Sequence, residues 1–418
     1  MPNAEAILET IEKKRIESTK TTFSAEDVEK LRGTFNVEYT VSKQLSKKFI
    51  VYHFYYQNDY GPKADFKDHL NDKLKIKGIG KNISYDKNNF ITRFFKDIEY
   101  GKEVSKQISE IKPDIVISGN CPTLAQELII KSCYKNNSKF IIWVQDFYSH
   151  AVKLLLKKKI FFLSYPISFL FEYLEKKQLN QADKLIIISN NWVKKLSSWN
   201  VENKKIHYIP NWGDIKNIKY LEKKPTSFLD KNSFEINKFK IIYTGTLALK
   251  HNPKIITNIA IKNKDIDILV IGAGSGFQKL KNMKNIPSNI KMLPLQPYKK
   301  MSDILNSADV LLGILSKDAS KFSVPSKILN YLCAGKPIIL SAPKDNLAAT
   351  IISESKSGKT FEPQDLNGIN NFIKILMTDS VIRKKYSLNA KNYAESNFKI
   401  EKISLKFENI INNLNINK

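Results

Sequence analysis

The stretch FKIIYTGTLALK (residues 239–250) decides the fold class, together with IDILVIGAGSG (266–276). Each begins as a short, nearly continuous apolar run and then passes into glycines and small polar residues. Strands that are apolar throughout are buried on both faces, as in a parallel sheet covered by helices. The two stretches therefore predict consecutive strands of a doubly wound α/β domain, each ending in a turn.

The same rhythm of apolar runs and amphipathic helical stretches fills most of the chain. Before a polar stretch at 214–236, strands are predicted at 49–56, 114–118, 140–145, 184–189 and 205–210. After it, strands are predicted at 239–245, 266–272, 289–293, 309–315 and 337–340. The pattern predicts two Rossmann-like doubly wound parallel-sheet domains facing a cleft. Ligands of such sheets bind at the carboxyl ends of the strands.

The predicted boundaries follow from these runs. They are an added N-terminal helical arm at 1–45, a first Rossmann-like domain at 46–213, a linker at 214–236, a second Rossmann-like domain at 237–395 and a C-terminal helix at 396–418. We expect the C-terminal helix to pack back on the first domain.

The composition limits the classes of partner that the protein could bind but does not identify one of them. The 418 residues are 42% hydrophobic, enough for two cores, and Lys plus Arg (68) exceed Asp plus Glu (41) by 27. Such a charge favours nucleic acid, an acidic membrane surface or a phosphorylated small molecule, or else reflects an AT-rich genome. The three cysteines have no zinc spacing. The start, MPNAEAILET, lacks the features of a secretory signal, so a cytoplasmic location is expected.

The turn after the strand FKIIY carries Gly245, Thr246 and Lys250. Glycine lets the backbone approach an anion, threonine adds a hydroxyl and an amide, and lysine adds charge. An ordinary strand-to-helix turn with a solvated lysine fits the same residues.

The glycines of VIGAGSG (Gly272, Gly274 and Gly276) superficially resemble a dinucleotide fingerprint. The spacing is GxGxG, however, and no acidic residue ends a strand about 20 residues further on. A tight turn beside a ligand explains them better than hydride transfer does.

The segment SKFSVPSKILNYLCAGKPIIL (320–340) is the most informative. Pro325 and Ser326 suit the first turn of a helix, and Gly335 suits its C-terminal cap. Unpaired N–H groups, the helix dipole and Lys327 would together attract a diphosphate. A helix cap without a ligand is the alternative.

In the first domain, the strand FIIWVQ ends at Asp146. A carboxylate in that position can orient an acceptor hydroxyl or a sugar, or it can simply cap the following helix. His53 lies within an apolar strand and is interpreted as a core residue. No cluster of histidines, cysteines and carboxylates has the spacing of a metal site, so no metal is expected.

Taken together, the chain resembles the GT-B glycosyltransferases of retaining family 4, especially the bacterial branch that builds surface polysaccharides with acetamido sugars. The similar stretches are KPDIVISGNCPT, IIWVQDFYS, ADKLIIISNNWVKKL, IHYIPNWGD, IIYTGTLALKHNP, VIGAGSG, NIKMLPLQPYKKMSDILNSADVLLGIL and VPSKILNYLCAGKPII. They occur in the family's order between about 47 and 400.

The resemblance implies a nucleotide-sugar donor, usually a UDP-sugar, held by the second domain, and an acceptor held by the first. Lys250 falls in the family's diphosphate loop, and together with Asp146 at its strand end and Lys327 at its helix start it is predicted to be catalytic. The resemblance also implies donor contacts from Gly245, Thr246, Gly274, Leu295, Gln296, Ser323, Ser326 and Asn330. Leu295 and Gln296 fall where the family reads the base.

The chain departs from the family at one pair of positions. The family's two glutamates, seven residues apart, would fall at Phe322 and Asn330, and neither is acidic. Asn330 can still bind ribose hydroxyls, whereas Phe322 cannot replace a carboxylate on the donor sugar. A GT-B subunit without transfer activity is therefore an alternative. A second is a basic nucleic-acid-binding protein, although no known nucleic-acid-binding motif supports it.

The implied chemistry is front-face transfer in which the leaving diphosphate takes the acceptor proton. Positive groups around the phosphates would supply the stabilisation, so neither a metal nor another cofactor is expected. The acceptor would be a glycan or a polyprenyl-diphosphate-linked sugar, and nucleic acid is not expected as a partner.

A segment after Asp146 predicts peripheral contact with the anionic inner face of the cytoplasmic membrane. Its apolar run at 160–171 is too short to span a bilayer, but it combines cations with bulky apolar residues, as interfacial segments do. Packing of the aromatics inside the domain is the alternative. The residues are Lys153, Lys157, Lys158, Lys159, Ile160, Phe161, Phe162, Leu163, Phe169, Leu170 and Phe171.

Overall fold

A computed structural model describes residues 36–56, 72–80, 90–119, 121–150, 152–153, 161–248, 251–315 and 326–414. The described chain forms two compact units. The first holds the described residues between Asn36 and Asn211 together with the C-terminal residues from Ile400, and the second is Trp212–Lys399. Of the predicted N-terminal arm, residues 1–35 lie outside the described residues.

The described residues of the first unit form two parallel sheets flanked by helices. The strands are β1 (Val51–Tyr56), which pairs with β2 (Leu74–Ile79), and β3 (Ile115–Gly119), β4 (Lys139–Val144), β5 (Lys184–Ile187) and β6 (Ile206–Tyr208), which are neighbours in that order. The helices are α1 (Val37–Leu45), α2 (Phe90–Ile111), α3 (Thr123–Lys135), α4 (Phe161–Gln181) and α5 (Val193–Ser198).

The second unit has one parallel sheet of six strands. In chain order its elements are α6 (Ser227–Lys231), β7 (Phe239–Thr246), α7 (Lys254–Lys262), β8 (Ile266–Ala273), α8 (Ser275–Lys281), β9 (Ile290–Leu293), α9 (Met301–Asn306), β10 (Val310–Ile314), α10 (Ser326–Ala334), β11 (Ile338–Ser341), α11 (Leu347–Ser355), β12 (Gly358–Phe361), α12 (Leu366–Thr378) and α13 (Ser380–Asn397). The strand order is β12-β11-β10-β7-β8-β9. Strand β7, the first strand of the unit, therefore lies in the middle of the sheet.

The fold class predicted from the sequence is confirmed. All ten predicted strands are present, with ends within two residues of those expected. The middle residues of the central strands of the second unit are fully buried, including Ile241, Ile268 and Leu312. Burial on both faces is the reason that these strands are apolar throughout.

The C-terminal helix, α14 (Ile400–Asn412), packs within the first unit. The ring of Phe407 meets the ring of Trp143 on β4 edge to face, with 4.9 Å between centroids. At its side, the Lys48 ammonium lies 2.6 Å from the Glu408 carboxylate. The chain thus returns to its first unit after it completes the second.

The segment predicted as a linker, 214–236, lies on the second unit. Asn306 of α9 accepts a hydrogen bond from the amide of Leu221 at 3.0 Å and donates one to the carbonyl of Lys219 at 2.7 Å. Ile218 is buried. This polar segment is therefore held on the second unit by hydrogen bonds to α9. Among the described helices, none is long and apolar enough to cross a membrane.

The backbones of β7 and β8 approach each other closely where they pair at Gly245 and Gly272. A Cβ atom built on Gly272 would lie 2.0 Å from the carbonyl oxygen of Gly245. No side chain fits at this point, so glycine is required for the pairing.

We predict that Gly272→Ala destabilises the protein by about 3 kcal/mol, because the backbone must move to admit the methyl group. The matched control is Gly119→Ala at the end of β3, where the nearest atom to an added Cβ belongs to the Glu38 side chain at 3.3 Å. Thermal unfolding should show a clear loss for the first variant and little change for the control. Equal midpoints for the two variants would contradict this account.

Candidate functional site

The loops after β7 and β8 pack directly on each other through their backbones. The amide of Leu247 donates to the carbonyl of Ala273 at 2.8 Å, and the amide of Gly276 donates to the carbonyl of Leu247 at 2.8 Å. Gly274 has a φ of +114°, and an added Cβ would lie 2.8 Å from the Leu247 oxygen. The GxGxG pattern is therefore explained by loop packing at the carboxyl edge of the sheet.

Lys327 lies in the first turn of α10, beside this edge. Its ammonium donates to the hydroxyl of Tyr243 at 2.9 Å and lies 4.1 Å from the centre of the Tyr243 ring. A Cβ built on Gly245 would lie 3.6 Å from the Lys327 Nζ. The structure therefore brings together Gly245 and Lys327, two residues that the sequence assigned to the donor phosphates.

Tyr243 connects this lysine to the loop. It is fully buried, and its hydroxyl donates to the carbonyl of Thr246 at 2.7 Å. Burial lowers the pKa of Lys327 to about 7. A cation that has lost part of its hydration gains more from an incoming anion than a solvated one does.

A second buried tyrosine supports the same strand from another side. The amide of Thr244 donates to the hydroxyl of Tyr331 at 3.0 Å, and this hydroxyl lies 3.3 Å from the carbonyl of Leu312 on β10. Burial raises the pKa of Tyr331 to about 12. Tyr331 thus ties α10 to the centre of the sheet.

Asn330, a predicted donor contact, is turned toward the start of the unit. Its Oδ1 accepts a hydrogen bond from the amide of Asp214 at 3.1 Å. The buried carboxylate of Asp214 in turn accepts from the hydroxyl of Tyr298 at 2.8 Å. Next to it, a Cβ on Gly213 would lie 2.5 Å from the carbonyl of Leu329. The segment at Asp214 is thereby held against α10.

The remaining predicted donor residues are placed as follows. Gly274 lies beside Thr246, whose Cγ2 is 3.2 Å from a Cβ built on the glycine. Leu295 is buried after β9, and the Gln296 amide donates to the carbonyl of Pro294 at 3.0 Å. Ser326 is exposed at the start of α10. The predictions for Lys250, Phe322 and Ser323 fall outside the described residues.

In the first unit, Asp146 follows β4 and is exposed. Its Oδ1 accepts a hydrogen bond from the amide of the next residue, Phe147, at 3.0 Å. This contact is not the helix cap considered from the sequence, because the helix begins at residue 148 and an N-cap side chain accepts from an amide two or three residues further on. Behind it, the buried carboxylate of Glu175 on α4 accepts from the amides of Tyr148 at 2.7 Å and Ser149 at 3.3 Å, and from the Ser149 hydroxyl. Glu175 therefore fixes the backbone of the loop that carries Asp146.

A lysine completes this cluster. The Lys195 ammonium lies 3.7 Å from the ring centre of Phe147 and 4.5 Å from that of Trp199. Burial lowers the pKa of Lys195, although the charge of Glu175 opposes the shift. Burial and the charge of Lys195 also lower the pKa of His150. The loop thus combines the exposed Asp146 side chain with a histidine whose pKa lies below its usual value.

Sequence reasoning did not identify several of these residues. Tyr243 and Tyr331 lie in apolar runs and look like core residues. Glu175 lies in a run of mixed aromatics and charges. Asp214 stands in one of the stretches that carry the family resemblance, which was the one available signal. Within the described residues, no three of His, Cys, Asp and Glu form a group that could hold a metal ion.

Comparison with known proteins gives this geometry a family context. Residues 226–393 match the family model described as glycosyl transferases group 1. The putative colanic acid biosynthesis glycosyl transferase WcaI of Escherichia coli K12 is 23% identical over 244 residues, a match that spans 57% of this chain and 59% of that relative.

Solved structures share the architecture at low identity. Sucrose-phosphate synthase of Thermosynechococcus elongatus has a TM-score of 0.70 over 93% of each chain, with 13% identity. HepE of Anabaena, solved in complex with UDP-glucose, has a TM-score of 0.59 over 82% of this chain and 87% of that one, with 12% identity. The chain therefore has the GT-B fold, and its residues 226–393 are similar to the group 1 glycosyl transferases.

Proposed function

We propose that the protein is a retaining glycosyltransferase that transfers a hexosyl or acetamido-hexosyl unit from a UDP-sugar. The observation that carries the proposal is the Lys327 ammonium beside Gly245, at the carboxyl edge of the sheet in the part of the chain that is similar to the group 1 glycosyl transferases. A desolvated cation next to a glycine backbone suits a diphosphate, whose oxygens need charge and close approach. HepE, with the same fold, is described with UDP-glucose.

In the proposed reaction, the glycosidic bond to the diphosphate breaks as the acceptor oxygen bonds to the anomeric carbon. The acceptor proton passes to the leaving diphosphate, and the new bond forms on the face from which UDP departs. Lys327 stabilises the charge that develops on the phosphate, and no metal ion or other cofactor is needed. Asp146, held through the loop fixed by Glu175, orients the acceptor hydroxyl.

We further propose that the acceptor is a glycan or a polyprenyl-diphosphate-linked sugar of surface polysaccharide synthesis. WcaI is named as a colanic acid biosynthesis enzyme, and it is one of the relatives of this chain. With a polyprenyl-diphosphate-linked acceptor, the protein would work at the inner face of the cytoplasmic membrane.

A catalytically inactive GT-B subunit is the second candidate, and one observation favours it. The Asn330 carbonyl oxygen already accepts a hydrogen bond from Asp214. In a subunit of this kind, UDP would bind but no sugar would be transferred.

Incubation with a panel of UDP-, GDP- and dTDP-sugars, followed by measurement of nucleotide release, tests the proposal. We expect release from a UDP-sugar. Thermal-shift assays with UDP and with a single-stranded oligonucleotide separate the alternatives. Stabilisation by UDP without release from any sugar would favour the inactive subunit, whereas stabilisation by the oligonucleotide alone would favour a nucleic-acid-binding protein.

We predict that Lys327→Ala lowers kcat/KM for the UDP-sugar by about 10²-fold, because one charged donor is lost from a partly desolvated phosphate. The control is Lys336→Ala, which removes another lysine of the same unit whose pKa burial lowers, to about 8. Steady-state rates of UDP release provide the measurement. A value for Lys327→Ala within threefold of the control would refute the assignment.

The membrane contact has support from α4, but Phe171, one of the residues predicted to take part, is buried against Val152 and packs inside the first unit. Tyr165, Phe169 and Tyr173 recur every four residues and are 63%, 73% and 58% exposed, and Leu170 is 50% exposed. Residues four apart lie on one face of a helix, so these side chains form an exposed apolar stripe. Lys153 is exposed as well. The side chains from 154 to 164 lie outside the described residues.

We predict salt-sensitive co-sedimentation with liposomes that contain anionic lipid, because each lysine near such a surface contributes about 1 kcal/mol and salt screens that attraction. The double variant Phe169→Ser with Leu170→Ser should bind less. Phe95→Ser is the control, since Phe95 is 64% exposed on α2 of the same unit. Wild-type protein that stays in the supernatant at low salt would overturn the membrane contact.

A further inference from the structure

We propose that Tyr243 is a positioning residue of the donor site, which holds the Lys327 ammonium where the diphosphate binds. The inference rests on the proposed function. Tyr243 itself is fully buried in β7, so it acts on the ligand through Lys327.

Two contacts with Tyr243 fix the lysine. The ammonium donates to the Tyr243 hydroxyl at 2.9 Å, and the Tyr243 ring lies 4.1 Å beneath it. The Tyr243 hydroxyl donates its own hydrogen bond to the carbonyl of Thr246 at 2.7 Å, so its lone pair is available to accept from the lysine. A lysine side chain has four rotatable bonds and therefore a large rotamer entropy. The hydroxyl and the ring of Tyr243 together restrict that freedom.

Through Tyr243, the Lys327 ammonium is connected to the core of the sheet. Gly245 and Thr246 end β7 at the point where the phosphates would bind, and Tyr243 links this end of the strand to α10 through Lys327. Because Tyr243 is part of the core, the position of the ammonium is set by the sheet itself. A cation that is already in place loses less entropy on binding than a free lysine would.

The electrostatics predict a pH signature. Burial lowers the pKa of Lys327 to about 7, so the ammonium loses its proton as the pH rises through neutrality in the UDP-free protein. UDP binds the protonated form, and its affinity therefore falls above about pH 7. The hydroxyl of Tyr243 accepts from the charged form and so favours it. Among the described residues, Tyr243 is the titratable group shown in contact with this ammonium. The Tyr331 hydroxyl is hydrogen-bonded to Thr244 instead.

Tyr243→Phe tests the inference, since it keeps the ring and removes the hydroxyl. Tyr331→Phe is a matched control: it removes an equally buried hydroxyl that contacts Thr244 and Leu312. Calorimetric titration with UDP should show about tenfold weaker binding for Tyr243→Phe and a change below twofold for Tyr331→Phe. The decline of affinity with pH should begin at a lower pH in Tyr243→Phe.

Lys327→Met completes a double-mutant cycle, which isolates the coupling between the two side chains. In the Lys327→Met background, Tyr243→Phe should have no further effect on UDP affinity. An effect that persists there would show that Tyr243 does not act through Lys327 and would overturn the inference. Equal affinities of Tyr243→Phe and Tyr331→Phe would also overturn it, while the UDP site would stand. Failure of the wild-type protein to bind UDP would instead refute the proposed donor and the inference with it.

Discussion

The contact between the Lys327 ammonium and Tyr243 is the interaction on which the proposed donor site depends. It places a positive charge at the carboxyl edge of the six-stranded sheet, with its Nζ 2.9 Å from a hydroxyl that the core fixes. Partial burial makes this charge costly in the absence of a ligand, as its lowered pKa indicates. A bound diphosphate would relieve that cost.

The site also needs two loops to meet without side chains between them. Gly272 and Gly274 allow the turn after β8 to lie against the turn after β7, and the Leu247 amide and carbonyl bond across the contact. The glycines thus serve the packing of the edge, and Lys327 supplies the charge. In the first unit, Glu175 plays a comparable part, because its buried carboxylate holds the loop behind Asp146.

Much of this architecture was predictable from the sequence, because a buried parallel strand must be apolar along its whole length. Two strands were missed for the same reason. In β2, Lys75 and Lys77 alternate with apolar residues, and β12 is Gly-Lys-Thr-Phe, which contains no apolar run. The sequence also predicted that Lys327 lies at a helix start near the glycine turn, since strand ends and helix caps have local signals.

Partners that are distant in the chain could not be predicted in this way. Asn330 bonds to the amide of Asp214, 116 residues earlier, and Tyr243 meets a lysine 84 residues later. The run FKIIY, with its tyrosine, looks like any buried strand, and hydrophobic periodicity does not reveal the partner of a hydroxyl. Such pairings follow from the order of strands in the sheet, which is a tertiary property.

A structure determined with UDP bound would test the central claim most directly. We expect diphosphate oxygens within about 3 Å of the Lys327 Nζ and next to the backbone of Gly245, with the contact between Lys327 and Tyr243 kept. A diphosphate bound elsewhere on the second unit, with Lys327 still engaged only with Tyr243, would contradict the account.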